Sequence, residues 1–354
     1  MAGADQYFTP TTNDYSSEYS IYDYDEESNG LCRKSEVRQF AQYFLPPFYF
    51  TVFLLGFVGN VLVVVLYVYY KRIKSMTDVY LLNLAIADIL FLCTLPFWAL
   101  DAISGWIFGN FMCKTANSIY KINFFSCILL LSCISIDRYI AIVKAVKARA
   151  SKKKILLHSK LISLVVWVFA VLLSLPEFCF SLQDEAQKCS TVYPGNSLKA
   201  TGFAVQVAAG FFLPFAVMTF CYSMIIWKLL QARKLQRHKA IKVIGAVVGV
   251  FVFSQLPYNS IIIMKAMDAI NITITNCQTI KNLDIATQIT QCFAFLHSCL
   301  NPLLYAFIGV KFRKDLSKIM KDIGCVSTLT KPQQSSCKFS PDYSETETTG
   351  TFSL

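Results

Sequence analysis

A chain of 354 residues that is 55% hydrophobic and only 16% charged, with its apolar residues in long unbroken runs, is not a water-soluble globule. The net charge of +11 would suit nucleic-acid binding, but the basic residues sit between the apolar runs, where membrane topology accounts for them; no nucleic-acid partner is implied. His158, His238 and His297 form no nucleophile or metal constellation along the chain, so no enzyme is expected.

Residues 1–31 hold seven acids and no base, interleaved with Tyr15, Tyr19, Tyr22 and Tyr24, a composition that also suits a solvated, disordered tail. No positively charged cleavable leader precedes residue 40, so the first helix is expected to direct insertion. Charge-free runs follow at 48–70, 122–136, 161–176, 200–227, 243–264 and 285–310, and 79–100 carries a single charge, Asp88. At about 1.5 Å per residue, 22 helical residues span ~33 Å, the hydrocarbon thickness of a bilayer. The runs at 122–136 and 161–176 are shorter and are expected to extend through interface-tolerant residues, Lys121 at one end and His158 at the other.

Backbone groups in lipid must bond internally, and the alternating pattern of a barrel is absent. The expected fold is therefore an all-α membrane protein, a seven-transmembrane helix bundle (41–309) behind an acidic extracellular N-terminal tail (1–40). A short amphipathic cytoplasmic helix (310–325) and a Ser/Thr-rich cytoplasmic tail (326–354) follow. Segments 71–76, 144–160 and 228–242 carry 16 Lys/Arg and no acid, whereas 101–114, 177–199 and 265–284 carry five bases and six acids. The basic set faces the cytoplasm, which leaves the N-terminus outside.

Four cysteines, Cys32, Cys113, Cys189 and Cys277, fall on the oxidising side and allow three pairings. The reading preferred joins Cys113 to Cys189 and Cys32 to Cys277, with free thiols as the alternative. Cysteines in the spans, Cys127 among them, read as small apolar fillers, and Cys325 is a candidate for a reversible acyl anchor. Asn271-Ile272-Thr273 is a glycan acceptor on the outer side.

Polar residues inside the spans carry the mechanism, because intramembrane ionisable groups are costly. They are Asn60, Asp88, Asp137-Arg138-Tyr139 and Asn301. Asp88 requires a partner: a sodium ion held with Ser298 and Asn301, or else a proton of its own. Pro96, Pro176, Pro214, Pro257 and Pro302 each remove a backbone donor and bend a span. A transporter would show internal repeats or several charges along a path, and neither is present.

In chain order, Gly59-Asn60, Leu84-Ala85-Ile86-Ala87-Asp88, Asp137-Arg138-Tyr139, Trp167, Pro214, Pro257 and Asn301-Pro302-Leu303-Leu304-Tyr305 resemble the rhodopsin-like G-protein-coupled receptors. Thr94-Leu95-Pro96-Phe97-Trp98, Asp137-Arg138-Tyr139-Ile140-Ala141-Ile142-Val143 and His297-Ser298-Cys299-Leu300-Asn301-Pro302 are similar to the CC chemokine receptors within them.

That resemblance implies a plasma-membrane receptor whose acidic tail, with Tyr15, Tyr19, Tyr22 and Tyr24 as sulfation candidates, grips a basic CC chemokine. Thymus-expressed chemokine is the ligand it suggests. The ligand's N-terminus would enter the bundle and meet Tyr49, Trp98, Tyr120 and Gln291. Arg138 would pair with Asp137 at rest and meet Tyr222 and Tyr305 once the sixth span swings about Pro257. The opened crevice would admit a Gi-type heterotrimeric G protein, raising cytosolic calcium and driving leukocyte chemotaxis.

Receptor kinases and arrestin would act on the hydroxyl-rich tail, and Lys311, Arg313 and Lys314 would meet membrane lipid. Three departures stand out: Gln255 where many relatives have Trp, Gln291 where many have Glu, and Arg237 and Lys239 where some hold an acid. The alternative within the family is an atypical scavenging chemokine receptor that internalises ligand without coupling; the intact Asp137–Val143 stretch argues against it.

Overall fold

The computed structural model describes residues 32, 34–70, 73, 75–144, 152–184, 187–231, 234–271, 274 and 276–308, with backbone only at 152, 234–244, 247, 271 and 303–308. Residues 1–33 and 34–354 are two separate units, and every helix among the described residues belongs to the second. The expected helix 310–325, the tail 326–354, Cys325 and the tail tyrosines lie outside the described residues.

Helix α1 (Ser35–Val65) continues through a π-helical turn, Leu66–Tyr70. It starts inside the stretch expected as tail, because Lys34 and Glu36 are tied to Asp284 and Lys281 by ion pairs of 2.6 and 3.5 Å. Helix α2 (Met76–Leu92) opens with a reciprocal cap: Ser75 Oγ accepts from the Asp78 amide, and the Asp78 carboxylate accepts from the Ser75 amide.

The second span is broken before α3 (Leu95–Ser104). Pro96 has no N–H and its ring would strike the carbonyl of Leu92, so the ladder lapses. Thr94 reseals the gap, its amide and hydroxyl both donating to the Phe91 carbonyl at 2.8 and 2.7 Å.

Helix α4 (Gly109–Ile142) is packed by α2, α5 (Lys152–Phe180) and α7 (Leu213–Leu230) and forms the centre of the bundle. A two-stranded antiparallel hairpin, β1 (Ser181–Gln183) and β2 (Cys189–Thr191), leads to α6 (Asn196–Val207). Between α6 and α7 the backbone widens into a π-helical segment, Ala208–Phe212, where Pro214 would crowd the Gly210 carbonyl. Helices α8 (Lys234–Asn271) and α9 (Cys277–Ile308) complete the bundle, with Pro257 and Pro302 in their interiors.

Among the described residues, six helical segments are long and apolar enough to cross a membrane: Ser35–Tyr70, Met76–Ser104, Gly109–Ile142, Lys153–Phe180, Asn196–Leu230 and Val248–Ile270. Helix α9 is the seventh, held against α1 and α8. Gln288, Gln291, His297 and Asn301 lower its hydropathy, and these same groups face the centre of the bundle or its half-buried flank.

Large apolar residues such as Leu55, Val165, Phe220 and Trp227 are exposed around the circumference, which is the surface that lipid tails cover. The interior is aromatic: Phe211, Phe215 and Phe251 stack with interplanar angles of 7 to 12°. Glycines bring helices close, and a Cβ on Gly56 would lie 2.9 Å from Leu92.

Candidate functional site

A cavity of about 600 Å³ opens between α1, α3, α9 and the hairpin. Tyr49 and Trp98 line it, with Asp101, Lys188, Asp284 and Gln288 supplying polarity. The hairpin is fixed over it by the Cys113–Cys189 disulfide and by backbone pairing of the Trp106 amide with the Gln187 carbonyl at 2.6 Å. Gly105, at φ +83°, permits that approach, since a Cβ there would meet Gln187 O at 2.9 Å.

Neither Cys32 nor Cys277 carries a free thiol. Two buried acceptors in the cavity wall, Asp101 Oδ1 and Gln288 Oε1, have no hydrogen-bond partner. Partial burial, followed by the Arg38 charge, lowers the pKa of Lys188, while Asp101 and Asp184 oppose the shift.

Of the residues expected to meet ligand, Tyr49 and Trp98 come together here. Tyr120 lies deeper, its hydroxyl donating to Tyr258 at 3.2 Å and its ring against Phe91 and Phe295. Gln291 is half-buried on α9 and does not line the cavity. Lys121 is not an interface residue as expected from the short apolar run, because α4 begins 12 residues earlier, at Gly109. Its ammonium pairs with Glu177 of α5 at 3.1 Å and donates to Gln206 Oε1 of α6.

Asp88 is fully buried at the centre. Its carboxylate accepts from Asn123 Nδ2 at 3.0 Å and Asn301 Nδ2 at 2.8 Å, and from Cys127 Sγ at 3.4 Å; His297 Nε2 stands 3.9 Å away. Asn60 braces α9 by donating to the Ser298 carbonyl at 2.8 Å, and the Ser298 hydroxyl has no partner.

Sequence reasoning found Asn301 and Ser298 but missed Asn123, Cys127 and His297. Cys127 is no mere filler, and His297 does stand in a cluster of metal-binding groups, correcting the expectation that no histidine would. The available signal was spacing: Asn123 with Cys127 and His297 with Asn301 are i, i+4 pairs on single helix faces.

At the inner end, Arg138 and Asp137 are not paired. Asp137 Oδ2 accepts instead from Thr77 Oγ1 of α2 at 2.5 Å, and no ion pair joins it to Arg138 among the described residues. Adjacent residues on a helix point about 100° apart, so Asp137 meets α2 while Arg138 faces Tyr222, which also bonds Ser135. Tyr139 packs against Phe220 at a tilt of 55°, with ring centroids 5.7 Å apart. The Tyr305 side chain lies outside the described atoms.

A family model described as "7 transmembrane receptor (rhodopsin family)" matches residues 59–305. The chain is 52% identical over 306 residues to mouse C-C chemokine receptor type 9, covering 85% of this chain and 83% of that one. It is 48% identical over 350 residues to human C-C chemokine receptor type 7, covering 97% and 92%. The chain belongs to the chemokine receptors of the rhodopsin family.

Bovine atypical chemokine receptor 4 is more distant, 39% identical over 355 residues, covering 99% and 97%. Membership makes this chain a multi-pass plasma-membrane receptor with its N-terminus outside, a signalling protein rather than an enzyme. It implies a chemokine ligand and a G-protein partner.

Proposed function

We propose that this receptor binds a CC chemokine and activates a Gi-type heterotrimeric G protein, raising cytosolic calcium and driving chemotaxis. The observation that carries the reading is the outer cavity, whose aromatic wall of Tyr49 and Trp98 meets two unpartnered acceptors, Asp101 Oδ1 and Gln288 Oε1. A chemokine's N-terminal amine would satisfy Asp101, which supplies the charge that Gln291 lacks, while Tyr120 and Gln291 are reached lower in the bundle. The tail tyrosines Tyr15, Tyr19, Tyr22 and Tyr24 would hold the basic body of the ligand and make its capture sensitive to salt. A Cys32–Cys277 bridge would tie that tail to α9, and a glycan on Asn271 would stand on the outer side.

Ligand binding biases a two-state bundle in which α8 swings at Pro257 and Arg138, already facing Tyr222, gains Tyr305 as a partner, admitting the G protein. Asn301-Pro302 gives α9 the bend that lets it follow. A sodium ion at Asp88, with Ser298 and Asn301 as further oxygen donors, would hold the resting arrangement; the partnerless Ser298 hydroxyl is the observation that favours it. Receptor kinases and arrestin would terminate signalling at the Ser/Thr-rich tail.

The test is a chemokine panel, thymus-expressed chemokine first, on cells that express the chain. A calcium rise or fall in cAMP is expected, and Arg138→Ala should abolish both while surface display and ligand capture persist. Internalisation of a chemokine with neither signal would overturn coupling and establish the scavenging alternative.

A further inference from the structure

We propose that Asp88, Cys127 and His297 form a binding site for a borderline-soft divalent cation, Zn²⁺ above all, at the centre of the bundle. One carboxylate oxygen, one sulfur and one imidazole nitrogen, from α2, α4 and α9, all lie within 4.8 Å of one another, and all three residues are buried. Tetrahedral zinc with bonds of about 2.0–2.3 Å separates its ligand atoms by roughly 3.4–3.6 Å. The sulfur is 3.4 Å and the imidazole nitrogen 3.9 Å from Asp88 Oδ1, so side-chain movements of roughly 1 Å or less assemble three ligands.

The ring orientation is already suited to metal. His297 Nδ1 donates to the Ala294 carbonyl at 2.5 Å, which turns Nε2 toward Asp88. Nε2 has no hydrogen-bond partner and stands 3.9 Å from Asp88 Oδ1, a separation that a cation between them would bridge. Asn123 Nδ2 bonds both Asp88 Oδ1 and Cys127 Sγ, at 3.0 and 3.2 Å, and so orients two ligands at once.

A cavity of about 20 Å³, lined in part by His297, Ser254, Gln255 and Asn301, touches the cluster at His297 and has room for one water. On binding, the Cys127 S–H bond breaks, a Zn–S bond forms and the proton leaves to solvent. Thiolate and carboxylate then balance the ion's two charges, and affinity rises with pH. Nitrogen and sulfur donors select zinc over hard Na⁺, Mg²⁺ or Ca²⁺. Sodium and zinc would share Asp88, so the two ions exclude each other.

The full-length receptor, purified in detergent and stripped with chelator, is titrated with Zn²⁺ while thermal unfolding is followed. Zn²⁺ should raise Tm and Mg²⁺ should not, with excess Na⁺ weakening the apparent affinity. Cys127→Ser and His297→Gln should each lower Zn²⁺ affinity by about tenfold or more, and Cys221→Ser should leave it unchanged. Co²⁺ substituted into the wild type should show thiolate charge-transfer absorption, which decides the matter even where a variant folds poorly. Zinc stabilisation that survives both ligand variants, or a Co²⁺ complex without the thiolate band, overturns the site. Neither chemokine nor G protein enters these measurements, so their outcome is independent of the signalling reading.

Discussion

Replacing Lys121 by methionine tests whether its ion pair holds three helices together or is a passive contact. The ammonium and the Glu177 carboxylate are 3.1 Å apart, with side chains only 13% and 9% exposed. At an effective dielectric of about 20 their attraction is roughly 5 kcal/mol, much of it offset by the desolvation of both ions. Lys121→Met therefore costs far less than the full attraction as an interaction but leaves Glu177 charged and unpaired, a penalty of about 3–5 kcal/mol.

It also strips Gln206 Oε1 of its donor in a helix where Gln206 Nε2 is already without a partner. That adds about 1–3 kcal/mol. Glu177→Gln keeps an acceptor within reach of Lys121 and leaves the Gln206 contact, so it should destabilise less. The double variant removes both charges and should recover most of the loss of Lys121→Met. Thermal unfolding of the detergent-purified receptor, with radioligand or antibody measurement of surface yield, ranks the three. If the double variant is as unstable as the sum of the two single ones, the residues do not act as a pair and the argument fails.

Gly210→Ala would drive a Cβ into the Phe124 ring, and the crowding should cost about 1–3 kcal/mol; Phe124→Leu in the same chain should restore Tm, and no rescue would contradict the contact. Cys189→Ser opens a disulfide of sequence separation 76 and should cost up to about 4 kcal/mol while loosening the hairpin over the cavity, read as lower Tm and lost chemokine capture. Thr77→Val removes the hydroxyl that Asp137 accepts from and should destabilise the described arrangement by about 1.5–3 kcal/mol, seen in Tm; an unchanged Tm would show that Thr77 does not restrain the Asp-Arg-Tyr motif.

The apolar runs made the helices legible because bilayer thickness sets a length that few other constraints imitate. What they could not show is which faces meet. Lys121 reads as the end of a span, since Lys is normally excluded from lipid, until the partner Glu177 is seen on another helix. Asp137 and Arg138 read as a pair because opposite charges are adjacent in the chain, whereas helix geometry sends them to α2 and α7. Around Asp88 the intramembrane charge announced itself, and Asn301 was found because its neighbouring Pro302 is conspicuous. Cys127 and His297 were not, since thiols are ordinary core residues and a lone histidine gains meaning only from neighbours on other helices. The cavity was half legible: Tyr49 and Trp98 are aromatic and near the outer face, but Asp101 and Gln288 resemble ordinary loop and helix polarity.

Helix α9 carries Gln288, Gln291, His297 and Asn301 in a membrane span, and polar groups of it are answered by Asn60 on α1 and Asp88 on α2. Such a segment partitions poorly into lipid by itself during synthesis and enters fully only when those earlier helices are present to mask it. Maturation of this receptor at the ribosome-bound insertion machinery should therefore depend on contacts made by α9. Substitution of Asn60, far from any ligand, should strand chains in the endoplasmic reticulum with the final segment unsettled, and an apolar replacement of Asn301 should make insertion of that segment independent of its partners.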